Sequence, residues 1–325
     1  MSALPGHAAS SPRPRPLSDY RPRLARAHLA PRYWGVWLVL SWLWLLAWLP
    51  MPVTRLFGAG LGLLMWAANA KRRHIARINL ALCFPQLNAA ARTRLLRRHF
   101  IVYGQSFTDL AHLAWSGRAR LRRLVRVRGL DAYAALLRRQ RRVILLVPHL
   151  AGMNVSGALL AAEQPTFCII KPLRNAVLDW FLHRARSRFG ACAFTRAQGL
   201  RPALLALKQG LTFHYSPDED YGPKHSVFAP FFGVPAATLP TLGRIAASAD
   251  AVVIPCFVRL RRWGRGYDVE LDPPLADFPS GDEVADAARM NAAIEAGIRR
   301  MPEQYVWTFK LFKTRPGNAR SPYDA

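Results

Sequence analysis

The chain has 325 residues, 51% of them hydrophobic, a formal net charge of +27 and an isoelectric point near 11.4. That length suffices for one sizeable core, or for one core plus a membrane segment, and so large an excess of Lys and Arg favours a polyanionic partner: nucleic acid, anionic lipid or an acidic carrier. Cys83, Cys168, Cys192 and Cys256 form no C-x-x-C pair, which argues against a zinc site or a disulfide framework and for reducing surroundings.

In chain order, residues 1–32 read as a disordered basic tail, with six prolines and six arginines against the single acid Asp19. The apolar run that follows is too long for a signal peptide and has no small-residue cleavage site. Residues 33–70 read as a membrane-anchoring segment. From Tyr33 to Thr54 there is no charge, and Trp34, Trp37, Trp42, Trp44 and Trp48 crowd into 15 residues. A run of roughly 20 such residues is long enough to span a bilayer, and tryptophan is enriched at membrane interfaces. Pro50 and Pro52 break the run, so a shallow hairpin turning at Pro50-Met51-Pro52 stands beside the spanning helix as a second arrangement.

Residues 71–316 read as the globular domain, and 317–325 as a C-terminal tail. The stretch 71–142 is helical and basic in pattern, with a dense run at Arg118, Arg120, Arg122, Arg123, Arg126 and Arg128. Such a run is usually a solvated face, but beside a membrane segment it also suits anionic head groups. From residue 143 the pattern turns α/β. Strands are expected at 143–147, 166–170, 191–195, 211–215, 251–258 and 267–271, and helices at 176–189, 200–209 and 282–301.

Two constellations carry chemistry. His149 directly follows the strand Val143–Val147 and precedes Gly152. Ligands of α/β sheets collect at strand carboxyl ends, and imidazole is the usual acceptor of a hydroxyl proton near neutral pH. A single histidine there is more often structural. The second constellation is Asp218-Glu219-Asp220 with Tyr221-Gly222, again just past a strand. It reads either as a solvated turn or as a loop that orients an arginine, a hydroxyl or a metal. The aromatic stretch Phe228 to Thr238 suits core packing or the wall of an acyl groove.

These segments resemble the bacterial lipid A biosynthesis acyltransferases, the lauroyl and myristoyl transferases. The similarity lies in Pro31-Arg32-Tyr33-Trp34, in Asn79 to Pro85, and in the His149 block. It continues in Asp218 to Gly222 with Phe231-Phe232-Gly233 and Ala236-Ala237-Thr238, and in Pro302 to Tyr305 with Phe312 to Pro316. The resemblance implies an α/β fold, a glycerolipid-acyltransferase-like mixed sheet flanked by helices behind an N-terminal membrane-anchoring helical segment. It implies transfer of an acyl chain from acyl carrier protein to a hydroxyl of an anionic glycolipid. It also implies residence at the bacterial inner membrane, with the catalytic domain on the cytoplasmic face and no metal or other cofactor. In the family motif a histidine base is followed, after four residues, by a carboxylate that orients it. His149 fits; the carboxylate position holds Asn154, which either orients the ring by hydrogen bonding or caps the helix that follows. Arg174, Arg186, Asp218, Glu219 and Asp220 are expected to bind substrate, Arg186 being the arginine of the 184–188 group chosen to face the site. The remaining readings are an acyltransferase for a lysophospholipid or another glycolipid, and a non-catalytic lipid-binding relative. Nucleic-acid binding lacks any zinc-finger, RRM or helix-turn-helix signature.

Overall fold

The computed structural model describes residues 19–324. Its strands are β1 (Val125–Arg128), β2 (Arg142–Leu146), β3 (Thr166–Ile170), β4 (Cys192–Thr195), β5 (Thr212–Tyr215), β6 (Val227–Phe231), β7 (Val234–Thr238), β8 (Ala251–Leu260) and β9 (Tyr267–Leu271). Its α-helices are α1 (Trp34–Trp48), α2 (Met51–Ala68), α3 (Ala70–Cys83), α4 (Ala89–Trp115), α5 (Arg118–Leu124), α6 (Leu130–Arg138), α7 (Met153–Glu163), α8 (Ala176–Ser187), α9 (Arg201–Lys208), α10 (Thr241–Ala249) and α11 (Glu283–Arg300). A seven-stranded sheet runs β1-β9-β8-β2-β5-β3-β4, and β6 and β7 form a separate antiparallel hairpin. Strands β8, β2, β5, β3 and β4 are mutually parallel; β9 reverses against β8, and β1 follows β9 in parallel. The sheet is therefore mixed, as expected, and mostly parallel.

The uninterrupted apolar run Val143–Val147, which makes up most of β2, follows from its central place. Ile144 and Leu146 point into one apolar layer with Phe167, Phe213 and Phe257, while Val143, Leu145 and Val147 point into the other with Ile254, Cys256 and Val258. A strand covered on both faces has no reason to alternate with polar residues. The parallel arrangement also brings the carboxyl ends of β2, β5, β3 and β4 to one edge of the domain.

The expected uncharged run is two helices, not one, because the chain turns at Leu49 and Pro50 between α1 and α2. Among the described residues, α2 alone is long and apolar enough, by length and composition, to cross a bilayer. Its inner face is bound to the domain. Gly58 and Gly62 lie so close to α4 that a Cβ on Gly104 would fall on their backbone. Arg55 of α2 is buried and pairs with Asp109 of α4 at 3.3 Å, and it also donates to the Arg261 and Gly266 carbonyls. Helix α1 is apolar on every side. Leu40, Leu43, Leu46 and Ala47 are buried, and Trp34, Leu38, Trp42, Leu45 and Trp48 are exposed along the opposite side.

Other boundaries differ from expectation in instructive ways. The basic run at 118–128 is not one helix, since its end is β1, an edge strand whose Val125 packs inward while Arg126 faces out. The aromatic stretch at 228–238 is the β6–β7 hairpin, with Phe231 and Phe232 in the core. Residues 1–18 of the expected tail lie outside the described residues. The rest is tied to the sheet edge: Asp19 accepts from the Ala193 amide, and Tyr20 donates to Asp179.

Candidate active site

Each strand that ends at this edge delivers one functional group. His149 lies three residues beyond β2, Lys171 directly beyond β3, Arg196 directly beyond β4, and the acidic loop just beyond β5. Together with α7 and α8 they surround a cavity of about 1010 Å³, whose walls include His149, Asn154, Lys171, Arg186, Arg196 and Glu219.

The His149 loop is fixed from several directions. Its carbonyl accepts from the Val306 amide at 3.0 Å, the Ala151 amide donates to the Gln304 carbonyl, and the Phe309 ring stands edge-on to the imidazole at 5.2 Å. Asp218 completes the clamp. One carboxylate oxygen accepts from the His149 backbone N–H and the other meets Nδ1, both at 2.8 Å. A carboxylate only accepts, so Nδ1 carries a proton and the exchangeable position is Nε2. The Asp218 side chain is 3% exposed and that of His149 is 20% exposed, so the ring reaches the cavity while its partner stays behind it.

The electrostatics follow from this geometry. Burial alone would depress the basicity of His149, but the Asp218 charge and hydrogen bond outweigh it, and Glu219 adds to them; the ring protonates above its ordinary range. Burial likewise works against a charge on Asp218, yet His149 holds its carboxyl below the usual range. His214 also lines the cavity but has no such partner, and burial pushes it down to about 4. Of His149 and His214, it is His149 whose protonated form is supported by its surroundings.

The three adjacent acids have separate tasks. Asp218 serves His149. Glu219 stands in front of the ring, one oxygen 3.5 Å from Nε2 and the other 3.4 Å from Arg196. Asp220 turns away from the cavity: its carboxylate accepts from the Thr314 amide at 2.6 Å, the Thr314 hydroxyl at 2.8 Å and the Gly222 amide at 2.9 Å. It ties the loop to the C-terminal segment, a different place from the substrate contact expected of it.

The arginines also divide. Arg186 lines the cavity, and its Nε donates to Asn154 Oδ1 at 2.9 Å. The oxygen of Asn154 is thus engaged with Arg186, 32 residues away. Nor does Asn154 cap a helix: α7 begins at Met153 with Gly152 as its N-cap. Arg174 is exposed and outside the cavity walls; Lys171 of the same loop is the cation that lines them. The sequence reading missed Arg196, although it directly follows an expected strand, the signal that picked out His149.

The chain matches the family model for bacterial lipid A biosynthesis acyltransferases over residues 21–314. It is 32% identical over 308 residues to lipid A biosynthesis acyltransferase 2 of Shigella flexneri, covering 94% of this chain and 98% of that one. It is 34% identical over 303 residues to the lipid A biosynthesis palmitoleoyltransferase of Escherichia coli K12, covering 93% and 98% of the two chains. The lipid A biosynthesis myristoyltransferase of the same strain is 32% identical over 307 residues, 94% of this chain and 95% of its own.

Proposed function

The chain belongs to the bacterial lipid A biosynthesis acyltransferase family, and from that premise we propose that His149 is the general base of an acyl transfer from acyl carrier protein to a hydroxyl of an anionic lipid A-type glycolipid. The observation that carries this reading is the His149–Asp218 pair at 2.8 Å, with the ring at the wall of a cavity lined by both apolar and cationic residues.

The acceptor hydroxyl gives its proton to Nε2 as its oxygen attacks the thioester carbonyl. The tetrahedral intermediate collapses, the C–S bond breaks, and the proton passes from Nε2 to the departing carrier thiolate. Asp218 holds the ring by Nδ1–H and stabilises the imidazolium in between. Arg186, steadied by Asn154, offers a fixed cation to the charge that develops in the cavity. The family's carboxylate is thus replaced in this chain by a neutral acceptor for Arg186, and the charge that supports the histidine comes from the acidic loop. The strongly basic surface suits both the lipid phosphates and an acidic carrier.

The same reading seats the protein on the cytoplasmic face of the inner membrane. Its support is the exposed apolar stripe of α1 and the fact that all four cysteines are free. The close contact of α2 with α4 and the buried Arg55–Asp109 pair favour shallow seating over a span. A single substitution tests the chemistry. His149→Ala, assayed with purified acyl carrier protein thioester and glycolipid acceptor, should lose transfer by about 10³-fold or more while the protein keeps its melting temperature. Near-wild-type turnover would remove His149 from the mechanism.

A further inference from the structure

We propose that Arg196 and Glu219 form a latch on His149 that a phosphate group of the acceptor opens, so that the base is released when a phosphorylated lipid is seated. The proposal rests on the assignment of His149 as the base.

The geometry leads there in three steps. First, a hydroxyl that gives its proton to Nε2 must approach to about 2.6–3.2 Å. Glu219 Oε1 stands 3.5 Å from that nitrogen, in the space the hydroxyl needs. Second, Glu219 is held forward by Arg196, whose Nη2 lies 3.4 Å from the other carboxylate oxygen. Arg196 is in turn set by Tyr221: the same Nη2 meets the phenol oxygen at 2.6 Å, and the guanidinium lies 4.7 Å from the ring centroid. Third, this pair is open to solvent where Asp218 is not, with Arg196 43% and Glu219 31% exposed against 3% for Asp218. Half-exposed ion pairs are weak and exchangeable. A phosphate monoester carries more charge than a carboxylate and presents two oxygens to the guanidinium fork, so it competes well for Arg196.

The surroundings favour an anion. Lys171 and Lys224 line the same cavity, and Arg244, also on its wall, is matched by Glu283 at 2.5 Å. When phosphate engages Arg196, Glu219 loses its anchor and swings away from Nε2. In the resting arrangement the charged groups that face the ring are Asp218 behind it and Glu219, with Arg196, in front. Resting His149 lies between two carboxylates, an arrangement that favours imidazolium, the wrong form for a base. Opening the latch both clears the approach and removes one of those anions. Binding of the correct lipid would thereby contribute to kcat, and an unphosphorylated lipid would find the site closed.

The test uses the intact protein, acyl carrier protein thioester, and the glycolipid acceptor with or without prior phosphatase treatment. In the parent, removing phosphate should lower kcat and raise KM. In Glu219→Gln, removing phosphate should raise KM alone, and kcat on the dephosphorylated acceptor should rise about tenfold over the parent. Arg196→Gln should weaken binding of the phosphorylated acceptor about tenfold and, because Glu219 loses its anchor, make kcat the same on both acceptors, as in the opened latch. Two readouts need no turnover. Donor-free binding should discriminate between the acceptors in the parent and lose that discrimination in Arg196→Gln. By NMR the His149 ring should titrate at lower pH in Glu219→Gln. The latch is overturned by a parent kcat indifferent to phosphate, by Glu219→Gln losing rate on the phosphorylated acceptor, or by a His149 titration that does not move. Both turnover-free readouts as expected with no transfer to any acceptor would support the latch contacts and place the failure in the acyl-transfer reading.

Discussion

Two buried carboxylates in this protein accept from cationic partners, with opposite consequences. At the root of the apolar helices, Asp109 meets Arg55, and both side chains are sealed, at 3% and 4% exposed. At the sheet edge Asp218 is equally sealed at 3%, but its partner His149 is 20% exposed. Arg55 holds its proton permanently and is hemmed in by carbonyls of Arg261 and Gly266, so its pair locks α2 onto the domain. His149 is an imidazole that titrates above its ordinary range, and it keeps one nitrogen toward a cavity. On the proposed function, the same ionic motif builds a fastening in one region and a proton carrier in the other. What separates them is the titration range of the cation and the exposure of one side of it.

The comparison breaks first at the site. Asp218→Asn preserves shape but removes the charge that supports the imidazolium. Transfer should fall by about 10³-fold with little change in melting temperature. The pH dependence has a definite sign. A base works in its neutral form, so kcat/KM should rise with pH through the His149 titration, which lies above the ordinary value of about 6.5. Without the Asp218 anion, burial dominates, the ring loses its proton more readily, and that limb should move to lower pH while the plateau drops. Asp218 thus sets both the height and the position of the profile, and a limb that stays in place in Asp218→Asn would uncouple it from His149.

The fastening should break the other way. Arg55→Met leaves Asp109 buried and uncompensated, a loss of about 3–5 kcal/mol of stability. Turnover per folded molecule should remain. The double variant Arg55→Met with Asp109→Leu should recover much of the stability, because two apolar side chains replace two charges. Denaturation measured in detergent, alongside kcat, separates the two regions: one variant keeps its fold and loses rate, the other the reverse. A rate loss in Arg55→Met matching that of Asp218→Asn would show the regions to be coupled.

A smaller effect is expected on the outer face of the same helices. Leu38, Leu45 and Trp48 are 71%, 57% and 72% exposed on α1. Burying one such side chain in a lipid surface is worth about 1.5–3 kcal/mol. Replacing all three with Ser should move the protein from vesicles into solution in a sedimentation assay, without altering its melting temperature. High salt should not mimic the change if the contact is apolar. Release by salt alone, with the Ser variant still bound, would assign membrane residence to the basic surface instead.

Much of this was legible in the sequence because its signals were local. The charge-free run of β2 placed a strand, and the strand placed His149 at a carboxyl end. The acidic loop was flagged by the same rule. The pairing between them was not legible, since it depends on β5 lying beside β2, an order set by the whole sheet. Asn154 was the candidate for partner because the family resemblance puts the partner past four intervening residues, whereas Asp218 is 69 residues away. Strand β1 was hidden because the basic run gives it only Val125 and Val127 as apolar residues. The β6–β7 hairpin was hidden because Pro230 and Pro235 sit opposite each other in it, and proline normally weakens a strand reading.

Asn154 gives the smallest expected effect and sharpens the comparison most. The resemblance leads one to expect a carboxylate at this position, yet the Asn154 oxygen accepts from Arg186 Nε at 2.9 Å. Asn154→Ala removes that acceptor. Arg186 remains a cation on the cavity wall but loses its fixed orientation, so kcat should fall only about three- to tenfold, in line with one hydrogen bond to a charged group in a half-open site. Stability should change little, because Gly152 and not Asn154 holds the N-cap position of α7. Asn154→Asp keeps the acceptor and turns the contact into an ion pair, so kcat should be nearly preserved. The decisive quantity is the pH limb. Asp218 contacts Nδ1 directly, whereas a charge at residue 154 faces a guanidinium that compensates it. The limb should therefore move far less in Asn154→Asp than it moves in Asp218→Asn. If instead Asn154→Asp shifts the limb upward by as much as Asp218→Asn shifts it downward, residue 154 shares control of the His149 proton, and the division of labour between Asp218 and Asn154 must be redrawn.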